Sequence, residues 1–83
     1  MLERQLEQWA VRYTRKQGGW LLKWTCPGHR GVPDRILVTM YGQVKFVEFK
    51  APKGKLSELQ KIWQGRLPNV HVVRNKQEFE ELF

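Results

Sequence analysis

The sequence predicts an α/β fold with the element order α-β-β-β-α-β-α, and three observations carry that reading. Apolar residues recur at helical spacing in residues 2–17 and 58–66. Four short segments rich in strand-forming residues, 20–26, 34–40, 44–50 and 70–74, read as strands. Gly and Pro punctuate the junctions between them. Three consecutive strands, then a helix and a further strand, build a mixed sheet with helices packed on it.

Each element has a local reason. In residues 2–17, Leu2, Leu6, Trp9, Ala10 and Tyr13 fall on one helical face, and Gly18-Gly19 ends the helix. Residues 20–26 form a first strand, and the loop 27–32 holds two Gly, a Pro and the potentially cationic His29 and Arg30. The second strand, 34–40, is entered through Pro33, a tolerated place for proline. Tyr41-Gly42-Gln43 is a tight turn, so the second strand and the third, 44–50, form a hairpin. Residues 51–55 are a Pro/Gly loop. Ser57 caps the helix 58–66, with Leu59, Ile62, Trp63 and Leu67 expected to face inward. Pro68-Asn69 breaks it before the fourth strand, 70–74, and residues 76–82 make a short last helix.

A chain of 83 residues has room for one domain with a small core, and domains of that size often gain stability by self-association. The net charge of +7 is unevenly placed: residues 1–55 hold eleven basic and four acidic residues, and residues 56–83 hold four of each. A basic front half points to a polyanionic partner, most commonly nucleic acid. The single cysteine, Cys26, excludes an internal disulfide and fits a reducing compartment, read here as the cytoplasm. Cys26 with the two distant histidines, His29 and His71, does not have the spacing of a zinc site. No apolar run is long enough to span a bilayer, and the N-terminus has no signal-peptide core.

The third strand carries the chemistry. Alternation sets Phe46, Glu48 and Lys50 on one side and Val47 and Phe49 on the other. Glu48 and Lys50 are thus charges in a segment otherwise built for burial, which is costly unless they are paired or bind a metal. Asp34, the only aspartate in the chain, opens the neighbouring strand, and a short hairpin brings it towards Glu48. Two adjacent carboxylates repel unless a cation lies between them, and the pair suits a hard divalent ion such as Mg²⁺. With Lys50 placed to stabilise charge developing on phosphorus, the three side chains form a candidate site for phosphodiester hydrolysis. An ordinary salt pair between Glu48 and Lys50 on a half-exposed strand is the plainer alternative.

The chain reads Gly31-Val32-Pro33-Asp34, then Val47-Glu48-Phe49-Lys50-Ala51-Pro52, then Gly54, Leu56-Ser57 and Gln60. Together these residues closely resemble the VRR-NUC family, the virus-type replication-repair nuclease branch of the PD-(D/E)xK superfamily. The resemblance runs from Glu3 to the fourth strand. It implies a minimal restriction-endonuclease-like core and a Mg²⁺- or Mn²⁺-dependent endonuclease that cuts DNA. It also implies that Asp34, Glu48 and the main-chain carbonyl of Phe49 are metal ligands and that Lys50 is the catalytic lysine. Gln60 matches the family's helix glutamine near the active site. Because Ser57-x-x-Gln60 is also a capping box, two roles are open to it, and one side chain could fill both in different states. The family's first-helix glutamate has two candidates, Glu3 and Glu7, with Glu3 nearer the apolar face.

Small stand-alone relatives resemble Holliday-junction resolvases, so the expected partners are branched DNA, a four-way junction above all, and a second copy of the chain. The setting implied is a bacterial cell or a phage-infected host. His29, Arg30, Arg35, Lys53 and Lys55 surround the candidate site and are expected to hold the phosphate backbone. Trp20, Trp24 and Trp63 are expected in the core or at a dimer interface, and Cys26 as a small buried hydrophobe. A non-catalytic or partner-dependent DNA-binding module with the same fold is the alternative function.

Overall fold

The computed structural model describes all of residues 1–83. Its elements follow the expected order: α1 (Glu3–Lys16), β1 (Trp20–Lys23), β2 (Arg35–Val38), β3 (Val44–Phe49), α2 (Glu58–Arg66), β4 (Val70–Val73) and α3 (Lys76–Glu80). The strands are shorter than the sequence runs that predict them, because their end residues turn to other partners. Thr39 leaves β2 by bonding its N–H to the Gln43 carbonyl and accepting the Gln43 N–H on its hydroxyl. The Arg74 N–H leaves β4 for the Glu78 carboxylate. α1 stops where Gly18, at φ +78°, takes the left-handed conformation that closes a helix C-terminus.

The sheet has the order β1-β2-β3-β4. β1/β2 and β2/β3 are antiparallel, and β3/β4 is parallel. A parallel pair needs a crossover, which α2 supplies. The register sets Arg35 opposite Val47 and Ile36 opposite Phe46. Continued by one step, it puts Asp34 opposite Glu48.

The two faces of the sheet differ. Leu21, Leu37, Val47, Phe49 and Val73 are buried on one face together with Leu6 and Ala10 of α1 and Phe79 and Leu82 at the C-terminus. The Phe79 ring sits among Trp9, Tyr13, Phe49 and Phe83, with centroids 5.3–6.1 Å away. By register, Trp20, Leu22, Ile36, Val38, Val44, Phe46, Val70 and Val72 share the opposite face. α1 and α3 pack against strands, and α2 does not do so to any similar degree.

Several packing expectations are corrected. Leu2 is exposed and Thr14 is buried, its hydroxyl bonded to the Ala10 carbonyl, so the inward stripe of α1 is Leu6-Ala10-Thr14. α2 buries none of its residues, and Leu59 and Ile62 are 45% and 50% exposed. Helical spacing of apolar residues predicts a stripe that seeks cover, and cover is not supplied here by the helix's own chain. Trp20 is 67% exposed and is no core residue, while Trp24 packs on Phe46 with ring centroids 5.3 Å apart. Cys26 is only partly buried.

Candidate active site

β3 lies between β2 and β4, so its middle is enclosed from both sides, and Glu48 is 4% exposed. Asp34 precedes β2, and its Oδ2 accepts the main-chain N–H of Phe49 at 2.8 Å. That bond fixes the Asp34 carboxylate beside the backbone of β3, across the strand pair from Glu48. Lys50, one residue past the end of β3, places Nζ 4.0 Å from Glu48 Oε2. Gln60 of α2 donates from Nε2 to the same Glu48 oxygen at 3.0 Å.

The electrostatics are those of a carboxylate pair short of positive charge. Burial, then the charge of Asp34 and the hydrogen bond with it, push Glu48 up to about 8, against the pull of Lys50. Burial also raises Asp34, although its bond from Phe49 opposes the rise. Without further cations, ionising both carboxyls at once is disfavoured. The donor set fits a hard divalent ion: two carboxylates and the adjacent main chain of Phe49 are all oxygen donors. No cluster of three or more His, Cys, Asp or Glu side chains is arranged to hold a metal, so the side-chain donors number two.

Glu3 and Glu7 lie near enough to act on the pair through charge, Glu3 on Glu48 and Glu7 on Asp34. Neither hydrogen-bonds to it. Glu7 is taken up by Arg35, 2.7 Å away, and Arg35 also donates to the Leu21 carbonyl. The Arg35 guanidinium is therefore committed inside the chain. His29, Arg30, Lys53 and Lys55 are all exposed, on two loops that lead into Asp34 and away from Lys50.

Gln60 answers the question its sequence context left open. Its Oε1 accepts the Ser57 N–H at 2.8 Å and its own N–H donates to the Ser57 hydroxyl at 3.1 Å. It makes the α2 cap and the Glu48 contact at the same time. Two residues given no such part by sequence reasoning anchor the flanking loops. Trp63 Nε1 donates to the Arg30 carbonyl at 3.0 Å, and Arg74 donates to the Gly54 carbonyl at 3.0 Å. Gly31, at φ +87°, packs so closely on Leu59 that a Cβ there would lie 2.7 Å from its backbone carbon. The spacing of Trp63 three residues beyond Gln60 was the available signal, since it puts both on one helix side. Arg74 offered none.

Comparison with known proteins identifies the family and the fold. The model of the VRR-NUC domain family matches residues 5–72. The chain belongs to the VRR-NUC family. Over 65 residues, this VRR-NUC chain is 42% identical to "Putative nuclease p44" of Acyrthosiphon pisum secondary endosymbiont phage 1, which covers 78% of the chain and 70% of that relative. A solved structure described as a VRR_NUC domain superposes with a TM-score of 0.79 at 26% identity, over 96% of this chain and 91% of the other. The order and the mixed four-stranded sheet are those of the VRR-NUC fold. The nuclease superfamily that includes VRR-NUC domains typically uses divalent metals. No helix is long and apolar enough to cross a membrane.

Proposed function

We propose that this VRR-NUC chain is a Mg²⁺- or Mn²⁺-dependent endonuclease that hydrolyses phosphodiester bonds in branched DNA, the four-way junction above all, and that it works as a homodimer. The observation that carries the reading is the buried Glu48 beside the part-buried Asp34, with the Lys50 ammonium 4.0 Å from Glu48. Asp34, Glu48 and the Phe49 carbonyl would hold the ion. When bound, it supplies a Lewis acid to the scissile phosphate and acidifies a water. Lys50 gives positive charge where the attacked phosphate develops negative charge, and Gln60 keeps Glu48 from rotating away. Glu3 adds negative charge towards Glu48, and Glu7, paired with Arg35, is the second candidate for the first-helix carboxylate. His29, Arg30, Lys53 and Lys55, on the flanking loops, contact the backbone on either side of the cut, and that recognition follows DNA shape more than sequence. The work is done inside the bacterial or phage-infected cell.

The uncovered apolar sheet face supports the dimer. Trp20, Leu22 and Val44 are each roughly half exposed or more, and Leu59 and Ile62 of α2 are exposed as well. Exposed apolar groups of this number mark an association surface. Two sites related by a two-fold axis match the two strands a symmetric junction presents.

The test is cleavage of a labelled four-way junction beside duplex, flap and single-stranded controls, with Mg²⁺, Mn²⁺ or EDTA. Paired, metal-dependent nicks across the junction, lost in Asp34→Ala, are expected. Cutting of flaps or single strands alone would discard the junction. Binding without cutting on any substrate would leave a non-catalytic or partner-dependent module.

A further inference from the structure

The outer surface of α1 carries a charged groove that the candidate site does not use. Arg4, Arg12, Arg15 and Lys23 line it together with the Glu7–Arg35 pair, around an open volume of about 530 Å³. Arg4, Arg12 and Arg15 lie at i, i+8 and i+11, on the side of α1 away from Leu6, Ala10 and Thr14. All four free cations are exposed, and none belongs to an ion pair of the chain. Glu7, the one carboxylate on the groove, is already neutralised by Arg35 at 2.7 Å.

Helix stability does not account for this arrangement. A cation in the last turn, such as Arg15, complements the helix dipole, but Arg4 stands in the first turn and opposes it. Cations spaced along one face of a helix also repel each other. Their cost is offset once a polyanion lies along them. From Arg4 to Arg15 the helix rises about 16 Å, roughly the axial length of five phosphates of one DNA strand. The groove lies near the site, because Glu7 of its lining acts on Asp34 through charge.

We propose that the groove along α1 is a second DNA track, in which Arg4, Arg12, Arg15 and Lys23 hold the phosphodiester backbone of a duplex arm leading away from the Asp34–Glu48 site. The proposal rests on the reading of the chain as a DNA nuclease and adds the path that one arm of the substrate takes. The contacts are to phosphates, so the track holds any sequence and contributes affinity and orientation, not base selection.

The experiment is equilibrium binding of a labelled four-way junction in EDTA, by anisotropy, across a salt series. It compares wild type, the quadruple variant Arg4→Gln/Arg12→Gln/Arg15→Gln/Lys23→Gln, and the charge-conserving Arg4→Lys/Arg12→Lys/Arg15→Lys. Each lost phosphate contact removes about 0.9 from the slope of log K against log salt. A quadruple variant whose slope is shallower by about 2–4 and whose affinity at low salt falls at least tenfold is expected, with the lysine variant close to wild type. Thermal melting checks that the quadruple variant is folded. If it is not, the single variants Arg4→Gln and Lys23→Gln must each lower the slope by about one. A slope unchanged in a folded variant overturns the track while leaving the nuclease reading intact. Wild-type protein that binds no DNA overturns both.

Discussion

The side-chain amide of Gln60 joins Glu48 to the start of α2, with Nε2 donating to the carboxylate at 3.0 Å while Oε1 accepts the Ser57 N–H at 2.8 Å. A helix cap and a site contact thus share one side chain, and neither can be changed without the other. Gln60→Ala is expected to cost about 1 kcal/mol through the lost cap and to lower junction cleavage on the order of tenfold through Glu48. Gln60→Glu retains the cap acceptor but sets a third carboxylate beside the pair. It should melt near the wild-type temperature at pH 5 and lower at pH 8 without metal. Melting curves at both pH values and single-turnover cleavage check both variants.

Stability without metal should fall as pH rises. Glu48 sits at about 8 in the folded chain against 4.5 for the free side chain, and Asp34 is raised as well. A carboxyl raised on folding stabilises the fold fully below its unfolded value and loses that contribution as pH climbs through the folded value. Stability in EDTA is therefore expected to drop between pH 4.5 and pH 8, on the order of a few kcal/mol at most, and the melting temperature to fall with it. Mg²⁺ or Mn²⁺ should restore much of it at pH 8 and little at pH 5, because binding must displace the proton. A melting temperature flat from pH 5 to 8 in EDTA would overturn the raised folded-state value of Glu48.

Asp34→Asn separates fold from chemistry. The amide oxygen can still accept the Phe49 N–H, but the charge that lifts Glu48 is gone. The variant should be more stable than wild type at pH 8 in EDTA and gain nothing from Mg²⁺, with cleavage abolished. Differential scanning calorimetry with and without metal, beside the junction assay, reads both effects. A variant less stable than wild type under those conditions would give Asp34 a structural part instead.

Lys50→Ala addresses the third member of the cluster. The side chain is largely enclosed, so its ammonium acts at short range on Glu48 and on a phosphate brought beside it. Loss of a group that stabilises charge in the transition state typically costs about 10²–10³ in rate. Cleavage is expected to fall by at least that factor, with junction affinity in EDTA within about threefold of wild type. Equal losses in binding and cleavage would make Lys50 a binding or structural residue.

The uncovered sheet face leads to a test of association. Leu22→Lys sets a charge on the edge strand of that face, opposite Ile36, without touching the buried core. Sedimentation should show wild type near twice the chain mass of 9.9 kDa and the variant near one. The variant is expected to nick junctions singly instead of in pairs. A monomeric wild type would remove the dimer.

The element order was legible because apolar spacing and Gly/Pro punctuation are local signals. Asp34, Glu48 and Lys50 were legible as a group because strand alternation and a short hairpin translate sequence distance into space. What stayed hidden depends on long-range packing. Helical spacing marked Leu59 and Ile62 as apolar positions but carried no information about whether a surface awaited them. Arg35 reads as a surface cation until Glu7, 28 residues away in sequence, is folded against it. Gln60 fits both a cap and a site contact in sequence, and folding places the two partners on opposite ends of one amide.

A helix that buries nothing is cheap to release. α2 is held to the rest of the molecule by Gln60 on Glu48, Trp63 on the Arg30 carbonyl and the close seat of Leu59 on Gly31. Its amides should therefore exchange with solvent through a local opening far easier than global unfolding, while those of β2 and β3 persist. The acidic pair would then be guarded by a door hinged on polar contacts, and whatever occupies the site from outside would be what keeps it shut.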